Sequence, residues 1–301
     1  MSDYALQLFS PDDVFNPPEG AIQRWNDFPT RFLAQGDSWF SIGALPPWAT
    51  SNLLQKIVLG LEASAINCAN PGARLARMVD WKRDASFMRL LSGKFAYRWD
   101  GILLSGGGND LIAAAGVLPS DGDGSPVPAE LRLLLKPDEW GPATLGAARY
   151  LSESGWTTFS AHLGPQFDDV VACRDQDVNK SVPLFCHSYA YPMPRNAPAS
   201  ALLHVGPWLY PSMVAYQIPP DDWLGVATAL IDRLAALLKN IVARHNAAGR
   251  RVYLVETQAI LTPAVPGTTG RSKDWENEIH PTPGGYRKLT ALWRPVIEAQ
   301  V

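Results

Sequence analysis

Short apolar runs alternating with helix-like stretches constrain the fold of this chain more than any other feature. Each run ends in glycine or polar residues, and the runs are 31–36, 63–68, 99–105, 182–191 and 252–257. The stretches between them place apolar residues three and four apart, which is typical of helices packed by one face. They are 51–63, 75–79 with 87–91, 145–171, 223–245 and 284–299. This alternation predicts a three-layer α/β fold with a mostly parallel, five-stranded sheet.

The rest of the chain is predicted to lie outside this core. Residues 1–30 are polar and contain proline, which indicates an N-terminal lead-in on the surface before a single domain at 31–301. Two loop insertions are expected, at 117–142 and 192–222. Asp121–Ser125 is similar to the opening of a calcium loop. However, Pro126 and Arg132 stand where such a loop needs glycine and glutamate, which favours a surface insertion.

Composition argues against several classes of protein. Apolar residues make up 47% of the 301, enough for a large core, and the net charge of -3 without a basic stripe gives no reason to expect a nucleic-acid partner. Three cysteines without a Cys-x-x-Cys pair argue against a disulfide framework and a thiolate zinc site, so no metal or cofactor is expected. The sequence shows neither a signal-peptide pattern nor an apolar run of roughly 18–20 residues that would predict an integral membrane segment. A cytoplasmic location is the default expectation, with signal-independent export left open.

Residues able to perform chemistry follow the predicted strands. Ser38 follows the first strand, Gly72 the second, Asn109 the third, and His280 lies in the loop after the fifth. Because the carboxyl ends of parallel strands meet at one edge of a sheet, we expect these four residues to lie close together. A hydroxyl nucleophile, a base and oxyanion donors are what acyl transfer requires.

Each of these residues also has a purely structural interpretation. Ser38 suits the cap of a following helix, and Asn109 suits the cap of a helix that begins near Leu111. Gly72 suits a turn, and His280 is one of five histidines. Asn109 and His280 both stand where catalysis needs them relative to Ser38, and this combination favours an active site.

Four motifs in this order resemble those of the SGNH (GDSL-type) hydrolase family, over about residues 31–290. They are Gly36-Asp37-Ser38, residues 67–72, Gly107-Gly108-Asn109-Asp110, and His280-Pro281 before the last helix. The resemblance implies a flavodoxin-like fold with strand order 2-1-3-4-5. It also implies a serine esterase or lipase-type hydrolase that cleaves acyl or acetyl esters through an acyl-enzyme. A small-molecule, lipid or carbohydrate ester is then the expected substrate.

The same resemblance assigns roles to the residues. Ser38 would be the nucleophile and His280 the general base. The backbone N–H groups of Ser38 and Gly72, with the side-chain amide of Asn109, would form the oxyanion hole. The choice of Gly72 among neighbouring glycines rests on the family.

Asn277 departs from the family, which usually has aspartate three residues before the histidine. An amide oxygen can orient the imidazole but carries no charge, and acid-to-amide replacement in a serine-protease triad costs about 10⁴ in turnover. Asp274 is the possible alternative acid, with Glu276 and Glu278 also nearby. Alternatively, a Ser–His dyad works with Asn277 or a backbone carbonyl orienting the ring.

Three other kinds of protein are alternatives to the esterase. A non-catalytic binding or interaction module with the same fold is favoured weakly by Asn277 and opposed by the intact Ser38, Asn109 and His280. A nucleotide-binding protein would need a phosphate loop, but the glycines at 106–108 are followed by Asn-Asp. The chain also lacks the Gly-x-Ser-x-Gly elbow of α/β-hydrolases. The two insertions are the expected specificity elements, since loops on a rigid scaffold usually carry it.

Overall fold

A six-stranded parallel sheet forms the centre of the computed structural model, which describes residues 3–21, 24–41 and 51–301. Its order is β2-β5-β3-β6-β7-β8, and every neighbouring pair is parallel. A second, two-stranded antiparallel sheet pairs β1 with β4. The strands are β1 Tyr4–Ala5, β2 Gln7–Phe9, β3 Thr30–Gly36, β4 Val58–Leu59, β5 Ala63–Asn67, β6 Gly101–Ser105, β7 Leu184–His187 and β8 Val252–Val255.

The predicted fold class is confirmed, because β5, β3, β6, β7 and β8 are the five expected strands in the order 2-1-3-4-5. The sixth strand, β2, comes from the segment expected to be a surface lead-in, and Gln7 pairs with Ser64. Its three residues are exposed or half-buried at the sheet edge, so no apolar run announces it. The fourth strand is shorter than predicted. It ends at His187, and Tyr189 adopts a left-handed φ of 62°.

The central strands are buried on both faces, as parallel strands are when helices cover the sheet on each side. Leu33 in β3 lies between Ile66 in β5 and Ile102 in β6 in the strand register. All three side chains are inaccessible to solvent. Burying an aliphatic side chain of this size contributes about 1.5–3 kcal/mol relative to exposure, so this register anchors the sheet.

The helices pack in two groups around the sheet. Helix α8 lies against β4, the turn at Leu54–Lys56 and β8, whereas α5 packs with α2, α3, α4 and α7. The helices are α1 Pro11–Phe15, α2 Leu75–Met78, α3 Ala85–Leu91, α4 Gly108–Ala115, α5 Glu153–Arg174, α6 Tyr210–Ala215, α7 Trp223–Ala247 and α8 Pro283–Glu298. None of the helices in the described ranges is long and apolar enough to cross a bilayer.

The prediction of a helix at 51–63 is wrong. One 3₁₀ turn, Leu54–Lys56, is followed by β4, which pairs with β1. The side-chain oxygen of Asn52 accepts the Gln55 N–H at 3.0 Å, which caps this single turn. The β-branched Ile57 and Val58 then favour extended backbone. The apolar spacing identified buried residues correctly but not the type of element.

The two segments expected to be insertions, 117–142 and 192–222, have little regular structure. In the first, Ser120 bridges Pro126 and closes a tight turn over 121–124, and single 3₁₀ turns follow at Ala129–Leu131 and Pro137–Glu139. The second runs without a strand to α6, apart from a bridge between Ser200 and Val205. The interrupted helix predicted at 145–171 corresponds to a 3₁₀ segment, Ala143–Tyr150, followed by α5.

Candidate active site

Ser38 lies in a turn directly after β3, at the carboxyl edge of the sheet. The turn needs glycine before it, because a Cβ on Gly36 would lie 2.8 Å from the Cβ of Ser105 in β6. The Asp37 carbonyl accepts the Ser41 N–H at 3.1 Å, so the backbone turns over residues 37–41. The helix expected after Ser38 does not start within this turn, and residues 42–50 lie outside the described ranges. Ser38 is therefore presented on a tight turn rather than used as a cap.

His280 reaches Ser38 from the loop after β8. Its Nε2 lies 2.7 Å from Ser38 Oγ, and its Nδ1 lies 3.0 Å from Asn277 Oδ1. Thr282 caps α8 by accepting the Gly285 N–H at 3.1 Å, which fixes the helix start at Pro283, three residues after the histidine. The structure thus brings Ser38 together with Asn277 and His280, although His280 lies 242 residues later in the chain.

Two backbone donors fix the orientation of the Asn277 amide. Its Oδ1 accepts the N–H of Ile279 at 3.1 Å and the N–H of His280 at 2.9 Å. A flipped amide would point N–H groups at both donors, so the oxygen must face them and His280 Nδ1 as well. An acceptor at Nδ1 requires the proton to reside there. Nε2 is then unprotonated and able to accept the Ser38 hydroxyl proton.

His280 is buried and has a neutral partner. Burial lowers the pKa of its imidazole to about 3, so the ring is neutral at physiological pH. The Trp208 ring stands perpendicular to it at a centroid distance of 5.1 Å. This environment keeps the ring in the form that a general base requires, but it does not stabilise the imidazolium.

Asn109 lies near Ser38, and both line the same cavity. It is inside α4, whose N-cap is Gly107 with φ of 101°, so the cap interpretation of Asn109 does not hold. Its Nδ2 donates to the Ala73 carbonyl at 3.2 Å. A side-chain amide has two N–H groups, and the bond to Ala73 orients the amide while leaving one for a ligand.

Gly72 occupies an exposed turn in the loop after β5, with φ of 72°. The Ala73 N–H closes the turn on the Asn70 carbonyl at 3.2 Å, and the Asn70 N–H bonds the Gly36 carbonyl at 2.9 Å. The turn is thereby attached to the end of β3. The backbone conformation accounts for glycine here, and its expected donation to an oxyanion stays a prediction.

The acids considered as substitutes for Asn277 bond elsewhere. Asp274 accepts from Lys288 Nζ at 2.6 Å and from the Thr262 N–H at 2.8 Å. Burial opposes ionisation, but these bonds outweigh it and hold the pKa of Asp274 below its usual value. Glu276 pairs with Arg271 at 2.7 Å. The group that meets the imidazole is the Asn277 amide.

A buried polar network around Asp37, the residue before Ser38, was not foreseen from the sequence. The Asp37 carboxylate accepts from the Trp39 N–H at 2.9 Å, from Ser105 Oγ at 2.9 Å and from the Tyr189 hydroxyl at 2.6 Å. His187 Nε2 lies 2.9 Å from Ser105 Oγ. Burial raises the pKa of Asp37 to about 6, against these hydrogen bonds, and lowers that of His187 to about 3. The one sign of this network in the sequence was the presence of two polar residues, Ser105 and His187, in otherwise apolar strands.

Glu278 forms a second feature that was not foreseen. It joins the loop after β8, which carries His280, to the segment 192–222. Its carboxylate is inaccessible to solvent and accepts four backbone N–H groups. The donors are those of Arg195 at 3.2 Å, Leu209 at 2.9 Å, Tyr210 at 2.7 Å and Trp208. Burial raises its pKa, while these bonds favour the ionised form. Glu278 therefore holds the insertion in place instead of serving His280.

Two further contacts attach the same loops. The buried guanidinium of Arg195 donates to the Asn277 carbonyl at 2.6 Å and to the Thr268 carbonyl at 3.0 Å. The Trp39 indole N–H donates to the Ile279 carbonyl at 3.2 Å. This bond links the turn at residues 37–41 directly to the loop after β8 that carries His280. The separation of Ser38 and His280 is thus fixed by bonds that do not involve either side chain.

Comparison with known proteins gives similarity at the level of three-dimensional structure. No family model and no curated protein sequence matches the chain. An extracellular lipase from Streptomyces rimosus shares 15% identity and a TM-score of 0.43, covering 90% of this chain and 100% of its own. The acetylxylan esterase Axe2 from Geobacillus stearothermophilus shares 13% identity and a TM-score of 0.43, covering 90% and 94%. A family 3 carbohydrate esterase from Clostridium thermocellum shares 13% and a TM-score of 0.39, covering 90% and 98%.

Proposed function

We propose that the protein is a serine hydrolase of the SGNH (GDSL-type) kind, an esterase or lipase-type enzyme that cleaves carboxylic esters through an acyl-enzyme. The observation that carries the proposal is the run of hydrogen bonds from Ser38 Oγ to His280 Nε2 and from His280 Nδ1 to Asn277 Oδ1, at 2.7 and 3.0 Å. A nucleophile bonded to a base that is itself oriented by a third group is the arrangement of covalent catalysis.

In the first half-reaction, Ser38 Oγ attacks the ester carbonyl while its proton moves to His280 Nε2. The carbonyl oxygen becomes an oxyanion, which the Ser38 N–H and the free N–H of Asn109 stabilise, with Gly72 as the expected third donor. The imidazolium then gives its proton to the departing alkoxide, and the alcohol leaves an acyl-enzyme on Ser38.

In the second half-reaction, water loses a proton to His280 Nε2 and attacks the acyl carbonyl. The same donors hold the oxyanion, and collapse releases the carboxylic acid with return of the proton to Ser38. Asn277 holds Nδ1–H throughout, which keeps Nε2 available for each transfer. Its neutral amide stabilises the imidazolium less than a carboxylate would.

A fluorophosphonate probe and a short p-nitrophenyl ester test the proposal together. Wild type and Ser41→Ala, the matched control from the same turn, should be labelled and active. Ser38→Ala should be folded, unlabelled and inactive. Labelling that persists in Ser38→Ala would place the nucleophile elsewhere. A wild type that is neither labelled nor active would instead support the non-catalytic binding module.

A further inference from the structure

A small cavity opens beside Ser38 and extends beneath helix α7. Its volume is about 40 Å³. Polar atoms enter its lining near Ser38 and Asn109, and the remaining walls are mostly apolar side chains. The cavity therefore suits an apolar group attached to an atom that lies at Ser38.

The position of His280 decides which part of an ester enters this cavity. The leaving alcohol must lie within hydrogen-bond reach of His280 Nε2 to receive its proton. The cavity lining includes Ser38, Asn109 and Ile279, but not the His280 ring itself. An ester held with its carbonyl between Ser38 and Asn109 thus directs its acyl chain into the cavity. Its alcohol stays on the side of His280.

The wall opposite Ser38 is rigid. Ala227, Leu230 and Ile231 line the cavity from one face of α7, and each is more than nine-tenths buried. Their spacing of three and four places them on one stripe of a 25-residue helix. Packed interiors of this kind resist extra methylenes, because neighbouring side chains and backbone must shift to admit them.

We infer that the cavity beneath α7 is the acyl-binding pocket and restricts the enzyme to short-chain esters, from acetyl to about butyryl. The inference rests on the proposed esterase function. A cavity needs about 10–15 Å³ to hold one water, so a cavity of this size leaves room for only a few atoms beyond the ester carbonyl. A butyryl chain places about three carbons beyond its carbonyl, whereas a hexanoyl chain exceeds the space. Leu230 and Ile231 are therefore the residues that set the limit.

A series of p-nitrophenyl esters from acetyl to palmitoyl measures the limit directly. In wild type, kcat/KM should rise by up to about fourfold per added methylene, the equivalent of ~0.8 kcal/mol each, and fall beyond butyryl. Leu230→Ala and Ile231→Ala should each move the optimum to acyl chains about two to three carbons longer. Leu237→Ala is the control, because it makes the same truncation on α7 at a residue that does not line the cavity. It should keep the wild-type optimum.

The outcomes separate the pocket from the proposed function. Fluorophosphonate labelling with the highest kcat/KM for octanoyl or longer esters would overturn the short-chain inference and leave the esterase intact. Wild-type preference for short esters that neither folded variant changes would place the limit outside this cavity, which also overturns the inference. Absence of both labelling and hydrolysis would overturn the esterase and the pocket together.

Discussion

Replacing Asn277 by aspartate tests what a charge at this position contributes to catalysis. The carboxylate would keep the acceptor that bonds His280 Nδ1 at 3.0 Å and the N–H groups of Ile279 and His280. It would add a negative charge beside the imidazole. An opposite charge this close raises a histidine pKa by about 1–3 units, so the pKa of His280 should move from about 3 to roughly 4–6.

The same shift sets the expected gain in rate. One to three units of pKa correspond to about 1.4–4 kcal/mol in favour of the imidazolium. If the proton is about half transferred in the transition state, roughly half of this lowers the barrier. The expected gain in kcat at alkaline pH is then about three- to thirtyfold. The lower part of this range is favoured, because Asn277 Nδ2 has no hydrogen-bond partner among the described residues and a second carboxylate oxygen there would be unpaired.

The assay is the ratio of kcat/KM for Asn277→Asp to that of wild type from about pH 4 to 9. Taking the ratio removes other titrations common to both proteins. It should be flat at high pH and fall as pH drops through the raised pKa of His280, because the variant loses its neutral base first. A ratio that stays constant over the whole range would refute the claim that the group at 277 controls the imidazole.

Asn277→Ala and Asp274→Asn complete the comparison. The alanine variant removes the acceptor that fixes the proton on Nδ1, so kcat should fall by roughly 10²–10⁴ through the wrong tautomer. Asp274→Asn removes a nearby carboxylate that bonds Lys288, and activity should stay within about twofold because exposed or peripheral pairs contribute little. Near-normal activity in folded Asn277→Ala would exclude the orienting role.

Three other substitutions test the remaining parts of the site. Asn109→Ala should lower kcat by roughly 10²–10³ with KM little changed, because it removes an oxyanion donor; unchanged kcat would leave Asn109 only its structural bond to Ala73. For Asp37, whose pKa burial raises from 3.8 to about 6, the folded state binds the proton more tightly than the unfolded chain. The unfolding free energy of wild type relative to Asp37→Asn, measured in urea, should therefore fall by about 2–3 kcal/mol between about pH 4 and 7, and a pH-independent difference would contradict this. Glu278→Gln should lose about 2–4 kcal/mol of stability in the same measurement, since an amide N–H₂ cannot accept the backbone donors; an unchanged value would show that the carboxylate does not hold the insertion.

The central strands were predictable because they are continuous apolar runs. Leu33, Ile66 and Ile102 are inaccessible to solvent, and each lies beside further buried apolar residues of its strand. The edge strand Gln7–Phe9 was not predictable in this way, because one of its faces meets solvent and it has only three residues. At 51–63 the burial pattern was real, but β-branching at Ile57 and Val58 and the pairing of β4 with β1 favoured extended backbone over helix.

Some residues of the candidate site could likewise be predicted from the sequence, and others could not. Ser38, Asn109 and His280 could be brought together in advance because topology alone directs the carboxyl ends of parallel strands to one edge. Glu278 could not be assigned its role, since its partners lie 68 to 83 residues away in a loop whose path no periodicity predicts. The roles of Ser105 and His187 could not be predicted for another reason. In the sequence they are single polar residues within strands, and only the structure shows that Ser105 bonds Asp37 and that His187 bonds Ser105.

In the proposed mechanism, the burial and neutrality of His280 together determine how the catalytic arrangement differs from a charged triad. Without a carboxylate at 277, burial alone sets the pKa of the imidazole near 3, and the base remains available in acid where a carboxylate-paired histidine would be protonated. The same low pKa makes Nε2 a weaker proton acceptor, so proton transfer contributes less to lowering the barrier. More of the rate must then come from positioning and the oxyanion donors. The structure provides for positioning with bonds that fix both loops independently of the reacting side chains: Asp37 beneath the nucleophile turn, Trp39 to the Ile279 carbonyl, and Arg195 to the Asn277 carbonyl. A site held this rigidly compensates for a weak base, because misplacement of the reacting groups by even about 1 Å costs around 10²-fold in rate.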